Sequence, residues 1–180
     1  MPRVDHRMAT ADDASAIGAV HVASWRETYA GLLPQDMLDG LSAEGRAAMW
    51  ATVLDAPASY NGTRVYVAER AGEILGFGAC GGQHDAAMRE RDFAGEIGAI
   101  YILRAQQGVG VGRGLMNLMA RDLMARPMFG ASLWVLRENV GARRFYEGLG
   151  GTIIVEKEVA EGNTPLHEIA YGWPDLTHLI

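Results

Sequence analysis

The stretch that decides the fold of this sequence is Gln107-Gly108-Val109-Gly110-Val111-Gly112-Arg113-Gly114-Leu115-Met116. The apolar run before it, residues 96–103, predicts a strand. After it, Leu115, Met119 and Leu123 recur at four-residue spacing, which predicts a helix with one buried face. A glycine-rich turn lets backbone approach a ligand, and the unpaired N–H groups of a first helical turn attract an anion. The stretch therefore predicts a site for a phosphate-bearing ligand.

The glycine spacing excludes two common phosphate-binding loops. The dinucleotide fingerprint G-x-G-x-x-G fails, because its third glycine position holds Arg113 when counted from Gly108 and Leu115 when counted from Gly110. A Walker loop fails as well, since the stretch has no Gly-Lys-Ser or Gly-Lys-Thr run. The remaining pattern is Gln-x-x-Gly-x-Gly over residues 107–112. A tight connection without a ligand is the alternative interpretation of this loop taken by itself.

A second block of sequence narrows the choice. Residues 139–150 read Asn-Val-Gly-Ala-Arg-Arg-Phe-Tyr-Glu-Gly-Leu-Gly, and they follow an apolar run over 131–136 that predicts another strand. The loop and this block together resemble the acyl-CoA-binding motifs of the GNAT superfamily of N-acetyltransferases, bacterial small-molecule type, over about residues 65–171. The resemblance implies the GNAT fold of the α/β class. In that fold a mixed, mostly antiparallel central sheet is flanked by helices, with strands that splay at the acyl-CoA site.

Periodicity and turn residues predict the remaining elements. Thr10 and Ser42 are candidate helix caps, and Pro34 suits the start of a short helix. The expected helices run to about Ser24 and Leu54, and the expected strands are 4–8, 65–70, 74–80, 151–157 and 167–172. This order of helices and strands is mixed α/β and matches the order that the GNAT resemblance implies.

Composition limits the class of protein. A chain of 180 residues suits one domain, predicted to span 1–180, and it has no apolar run of the roughly 20 residues that a membrane span requires. Residues 1–11 lack the apolar core of a signal peptide, so a cytoplasmic location is expected. Cys80 is the only cysteine, which excludes an internal disulfide and a cysteine metal cluster, and no metal is expected. The net charge of −6 argues against a nucleic-acid partner.

The resemblance also implies how the co-substrate, acetyl-CoA, is bound. Backbone N–H groups of the glycine loop are expected to surround its pyrophosphate, and the preceding strand is expected to pair with its pantetheine arm. Asn139 is expected to cap the following helix and to bond the pantetheine. The expected contacts in the loop and strand are Ile100, Tyr101, Ile102, Gln107, Gly108, Val109, Gly110, Val111, Gly112 and Arg113, with Tyr146 near the sulfur.

Two side chains are candidates for proton transfer. Removing a proton from an alkylammonium of pKa near roughly 10 needs a base, and Glu96 lies on the strand where many family members carry a glutamate. An ion-paired glutamate without a catalytic role is the alternative, with Glu69, Asp92 and His84 as other candidate bases. Tyr146 is the candidate acid, because a neutral phenol can protonate a departing thiolate.

The acceptor is the least determined part. Trp25 and Tyr29 are four residues apart and share a helical face if the first helix continues that far, which suits either an aromatic pocket for an amine or plain helix packing. His84 is a third candidate for acceptor binding. A small-molecule amine is the expected partner, and exposed strand edges permit a homodimer. The alternatives are an acetyltransferase for protein N-termini or lysines, and a CoA-binding sensor without turnover.

Overall fold

The computed structural model describes residues 3–180, so the first two residues of the expected 1–180 domain lie outside it. Within that range it contains seven strands and six α-helices, in the order β1 (Asp5–Met8), α1 (Ala14–Tyr29), α2 (Gln35–Asp39), α3 (Ala43–Asp55), β2 (Arg64–Arg70), β3 (Glu73–Gly82), α4 (Ala86–Arg89), β4 (Gly95–Ile102), α5 (Val111–Ala125), β5 (Ala131–Leu136), α6 (Val140–Gly148), β6 (Thr152–Glu161) and β7 (Thr164–Trp173). The expected α/β class is confirmed.

Local chemistry explains most helix boundaries, and one boundary differs from the expectation. Ser42 caps α3, since its Oγ accepts a hydrogen bond of 3.0 Å from the Gly45 N–H. The first helix continues past the expected end at Ser24, because Trp25 and Tyr29 on its next turn pack in an apolar cluster beneath α2. Packing therefore extends this helix beyond what the local pattern predicts.

The sheet has the strand order β1-β2-β3-β4-β5-β7-β6 and is antiparallel except at β4 and β5. In the described chain these two parallel strands pair at only two positions, Gly95 with Ala131 and Glu96 with Ser132. Since β4 continues to Ile102, its edge towards β5 has no strand partner beyond Glu96. The expected splay is therefore present, and it leaves unpaired backbone N–H and C=O groups that can bind a ligand.

A bulge in β4 sets which side chains face each layer. Ala99 pairs with Ala79 and Ile97 with Cys80, so Gly98 is an extra residue between two consecutive pairs. As a result, Ile97 packs with the core beneath α5, whereas Ala99 packs with the core beneath α1 and α3. The bulge reverses the alternation immediately beside the point where β4 and β5 separate.

The junction after α6 is tightly packed. A Cβ added at Gly151 would lie only 2.7 Å from the Trp173 ring, because that indole fills the space. Its Nε1 donates a 3.1 Å hydrogen bond to the Leu149 carbonyl.

Among residues 3–180, no helix is both long and apolar enough to cross a bilayer.

Candidate active site

A cavity of about 870 Å³ opens where β4 and β5 diverge. One end of the cavity, called the donor end, is lined by the glycine loop and by α6 with its cap. The lining residues there are Gln107, Gly108, Gly110, Gly112, Arg113, Asn139, Gly141, Ala142, Phe145 and Tyr146. At its second end, the acceptor end, the walls come from α1–α3 and the β6–β7 hairpin: Ser24, Trp25, Thr28, Tyr29, Leu33, Met37, Leu41, Arg46, Glu161, Leu166 and Glu168. The two ends form one continuous space.

The glycine loop has the backbone shape of an anion site. Gly108 and Gly110 have φ angles of 75° and 92°, in the left-handed region that favours glycine, and Gly110 is the N-cap of α5. The first-turn N–H groups of α5 therefore lack helical acceptors at the cavity wall. The Gln107 side chain donates to the Ile102 carbonyl at 3.1 Å and anchors the loop to β4. This cradle fits a pyrophosphate.

Two expected loop contacts differ from the rest. The Val109 side chain is 61% exposed, whereas Val111 is buried in the core under α5, so neither side chain lines the cavity. The three expected β4 residues, Ile100, Tyr101 and Ile102, all line the cavity along the unpaired strand edge. That edge can add a further extended chain, such as a pantetheine arm.

The last turn of α6 places Tyr146 deep in the cavity wall. Asn139 caps this helix as expected, since its Oδ1 accepts a 3.2 Å hydrogen bond from the Ala142 N–H. Tyr146 is 6% exposed, with its ring centroid 5.9 Å from that of Tyr171 and 6.1 Å from that of Trp173. Burial raises the pKa of the Tyr146 phenol, so its proton is retained at neutral pH.

Glu96 lies beside the main cavity rather than in its wall. Its carboxylate accepts hydrogen bonds from the His84 backbone N–H at 3.2 Å and contacts the His84 ring Nδ1 at 2.5 Å. Both residues line a smaller cavity of about 210 Å³, which meets the main one at Gly98. A Cβ added at Gly98 would meet no atom of the described chain within 4 Å. Because Gly98 has no side chain, it does not block the space between the Glu96 carboxylate and the main cavity.

The other candidate bases are held elsewhere. Glu69 accepts from the Arg7 guanidinium at 2.7 Å at the β1–β2 edge of the sheet. Asp92 lies in a turn with a φ angle of 67°. Within residues 3–180 neither carboxylate lines either cavity, so Glu96 and His84 are the predicted bases that the fold brings to the site.

The acceptor end is aromatic on one side. The rings of Trp25 and Tyr29 pack edge to face with centroids 4.9 Å apart, and both line the cavity. They also belong to an apolar cluster, so the pocket and packing interpretations both describe them. Behind them His21 is buried, and its Nδ1 accepts a 2.9 Å hydrogen bond from the Trp50 Nε1. Burial, with help from the charge of Arg46, lowers the pKa of His21 to about 4, so the ring is neutral.

Arg104 joins the two ends of the site. Its backbone N–H donates to the Glu27 carboxylate at 2.8 Å, and its guanidinium donates to the Glu27 carbonyl. These bonds tie α1 to the connection that precedes the glycine loop.

Three charged residues of the acceptor end were missed by sequence reasoning: Arg46, Glu161 and Glu168. None of them lies in a motif or shares a period with another site residue. They line one cavity because α3 and the β6–β7 hairpin both border it. No pattern within a short stretch of sequence predicts that arrangement. Among the side chains in residues 3–180, no three from His, Cys, Asp and Glu are grouped so as to hold a metal ion.

Sequence relatives of this chain are acetyltransferases. The sequence model of the acetyltransferase (GNAT) family matches residues 22–150. YuaI of Bacillus subtilis, an uncharacterized N-acetyltransferase, is 30% identical over 173 residues, which cover 96% of this chain and 94% of YuaI.

Solved structures of the same fold include proteins bound to the expected co-substrate. The PaiA N-acetyltransferase of Thermoplasma acidophilum, in complex with coenzyme A, aligns with a TM-score of 0.73 and 15% identity over 93% of this chain and 98% of its own. YncA of Salmonella typhimurium, a putative acetyltransferase with acetyl-CoA, aligns with a TM-score of 0.69 and 18% identity over 96% of this chain and 94% of its own.

Proposed function

The chain belongs to the GNAT family of acetyltransferases, and from this premise we propose that it acetylates a primary amine of a small molecule. As an acetyl-CoA-dependent N-acetyltransferase, it would use direct attack by the amine within a ternary complex. The observation that carries this proposal is the continuous cavity, in which the glycine loop and the Trp25–Tyr29 pair face one space. Because donor and acceptor would share that space, no covalent enzyme intermediate is needed.

Donor binding rests mainly on backbone groups. The loop over 107–113 would hold the pyrophosphate, and the free edge of β4 at residues 100–102 would hold the pantetheine arm, with Asn139 nearby. Acetyl-CoA supplies the acetyl thioester when bound. The cavity walls exclude water around the reacting atoms and orient the amine.

Proton removal is assigned to Glu96. The amine enters as an ammonium, and a carboxylate is a suitable acceptor for its proton, directly or through a water molecule. Glu96 lies two residues from Gly98, where its small cavity meets the main one. His84, in contact with Glu96, would align the carboxylate and contribute to acceptor binding. Glu161 and Glu168 would attract the incoming cation.

Proton donation is assigned to Tyr146. Its phenol lines the donor end, and it is protonated at neutral pH because a free phenol has a pKa of roughly 10, which burial raises further. It can therefore donate a hydrogen bond or a proton to the sulfur of the leaving group as negative charge develops there.

The proposal includes a cytoplasmic, metal-free protein formed as one domain over 1–180. A homodimer through an exposed strand edge is compatible with it, since β1 and β6 end the described sheet. None of the catalytic steps above requires a second copy.

A thiol-release assay tests the function. Acetyl-CoA is mixed with the protein and with amino acids, polyamines, aminated drugs or peptides, and free CoA is followed with a thiol reagent. Cys80 gives little background because it is 1% exposed and burial raises the pKa of its thiol. We expect release with at least one small amine and a higher melting temperature with acetyl-CoA.

The outcomes separate the alternatives. Release with peptides alone would identify a protein acetyltransferase and overturn the small-molecule acceptor. A thermal shift without release from any acceptor would indicate a CoA-binding sensor. Absence of both would contradict the proposed donor site.

A further inference from the structure

Arg46 carries a charge that has no counter-ion in the acceptor end. Its side chain lines the cavity and is half-buried. Among residues 3–180, no carboxylate oxygen lies within 4.0 Å of its guanidinium nitrogens. Its contacts are the Met49 sulfur, 3.6 Å from Nη1, and the Trp25 ring, whose centroid is 6.0 Å from the guanidinium carbon.

The surroundings of Arg46 are aromatic and uncharged. Trp25 lies beside it, and its charge acts on both His21 and Tyr101, whose rings stack with centroids 4.8 Å apart. Since His21 is neutral, only the face of the Trp25 ring attracts this positive charge, and no carboxylate of this group pairs with it. Placing a cation in such a wall costs desolvation free energy that only an anion or water can offset.

Several other partly buried arginines of this chain have hydrogen-bond partners that Arg46 lacks. Arg7 binds the carboxylates of Asp13 and Glu69, both at 2.7 Å. Arg64 binds Asp122 at 2.5 Å, and Arg126 binds the same carboxylate. Arg89 donates to the Gln83 carbonyl at 2.7 Å. The Arg46 guanidinium contacts neither a carboxylate nor a carbonyl oxygen among residues 3–180, so its hydrogen-bond donors are available to a ligand.

Negative charge lies at the other side of the aromatic pair. Burial raises the pKa of the Tyr29 phenol to about 12, and the carboxylate of Glu168 adds to this shift. Glu168 is 3.7 Å from the Lys157 ammonium, and Glu161, next to the turn of the same hairpin, also lines the cavity. Trp25 and Tyr29 thus separate a cationic side of the acceptor end from an anionic side.

We propose that Arg46 binds a carboxylate of the acceptor, so that the substrate is an amino acid with a free carboxylate and an apolar side chain. This inference rests on the proposed function and specifies its substrate class. A planar guanidinium binds a carboxylate through two parallel hydrogen bonds. The amino group would then lie towards Gly98 and the proposed base Glu96, and the side chain would contact the apolar lining: Leu33, Met37, Leu41 and Leu166.

The proposal distinguishes a free amino acid from a protein N-terminus. In a peptide the group next to the terminal amine is an amide, which carries no charge for Arg46. An amino-acid amide reproduces this difference in a small molecule. Leucine, leucinamide and isopentylamine share an apolar body and differ only in the carboxylate.

The first experiment measures kcat/KM for leucine and leucinamide in the wild type and in Arg46→Gln, Arg46→Lys and Arg121→Gln. We expect the wild type to prefer leucine, and Arg46→Gln to lower the ratio of the two kcat/KM values about 10- to 100-fold, mainly through KM. Arg46→Lys keeps the charge without the planar fork, and an intermediate ratio is expected. Arg121 is exposed on α5 outside the cavity, so its variant should keep the wild-type ratio.

The second experiment measures binding without turnover. N-acetyl-leucine and N-acetyl-leucinamide are titrated calorimetrically into each variant in the presence of CoA. We expect the carboxylate to bind the wild type more tightly than the amide, and Arg46→Gln to remove the difference. A melting temperature for each variant verifies that it is folded.

Each result decides the proposal. No preference for the carboxylate in the wild type, tested also with the methionine and phenylalanine pairs, overturns it. A preference that persists in Arg46→Gln overturns it as well. If no amine is acetylated, the proposed function fails, and the titration decides the anion site separately. If amines are acetylated but the titration shows no carboxylate selectivity, the anion site fails while the proposed function stands.

Discussion

The donor end of the cavity is built from the backbone of consecutive residues, whereas the acceptor end is built from side chains of distant elements. Residues 107–113 form the cradle within one turn, and residues 139–146 complete it. Across the cavity, Arg46 and Glu168 come from α3 and β7, more than 100 residues apart. A backbone site depends on glycine spacing, and a side-chain site depends on how whole elements pack.

This difference explains why one fold can keep its donor and change its acceptor. Backbone N–H groups bind a pyrophosphate whatever the neighbouring side chains are. The acceptor end has no such constraint, because a substitution in α3 or the β6–β7 hairpin leaves the glycine loop intact. The predictions below test whether the two ends are as separate as their construction implies.

Glu96→Gln is expected to have the largest effect, because Glu96 serves the chemistry where the two ends meet. We expect kcat to fall about 100- to 1,000-fold, since glutamine cannot accept a proton. The acetyl-CoA dissociation constant should stay near the wild-type value, as the donor cradle is untouched. Steady-state kinetics over a range of pH, with acetyl-CoA titration, measure both quantities.

Two variants serve as controls for that measurement. Glu73→Gln changes an exposed carboxylate in the β2–β3 hairpin and should leave kcat unchanged. His84→Gln keeps Glu96 and removes the ring that contacts it. A collapse of activity in His84→Gln with normal activity in Glu96→Gln would transfer the role of base to His84.

Tyr146→Phe is expected to lower kcat about 10- to 100-fold through the loss of a proton donor at the donor end. The acetyl-CoA dissociation constant should change little, because the cradle is backbone. Tyr171→Phe is the matched control, since it removes a hydroxyl from the same aromatic cluster. That hydroxyl donates to Glu147 at 2.5 Å, so its loss should lower stability without lowering kcat. Equal kcat losses in both variants would show that Tyr146 acts only through packing.

The donor end was predictable from the sequence, whereas the acceptor end was not. The glycine loop and the Asn139–Gly150 block predicted the fold and the donor end, because both patterns encode backbone conformation locally. The extension of α1 to Tyr29 could not be predicted, since it depends on packing against α2. Arg46 was not predicted either, because its position depends on how α3 packs against α1. The placement of Glu96 was also not predicted. It lies on a predicted strand, but its side chain lines the smaller cavity, next to the bulge at Gly98.

Stability should fall on mild acidification because of His21 behind the acceptor end. Its pKa is about 4 when folded and about 6.5 when unfolded, so between these values only the unfolded chain takes up the proton. The contribution of neutral His21 to the free energy of unfolding is therefore greatest above pH 6.5. It decreases as pH falls, by about 2 kcal/mol between pH 7 and pH 5. Asp13, with a folded pKa of about 2, acts only at lower pH. Urea unfolding at pH 7, 6 and 5 measures this dependence.

His21→Gln is the matched variant for that titration. Glutamine does not titrate, so its stability should vary less between pH 7 and pH 5 than the wild type by about 2 kcal/mol. Its stability at pH 7 should be lower, because the geometry of the Trp50 hydrogen bond is lost. An equal pH dependence in both proteins would show that His21 is not the group responsible.

Gly110→Ala is expected to have the smallest effect and bears most directly on the backbone origin of the donor end. A Cβ at Gly110 would meet no atom within 4 Å in the described chain, so the substitution creates no clash. Its φ of 92° is nevertheless unfavourable for alanine, at a cost of about 1 kcal/mol. Gly148→Ala is equally unobstructed in α6 without a positive φ, so its stability should be unchanged or slightly higher. If urea unfolding gives both variants the wild-type stability, and acetyl-CoA affinity is also unchanged, the left-handed turn is not what shapes the cradle. If only Gly110→Ala weakens both, the donor end depends on backbone conformation alone, since no side-chain contact was altered.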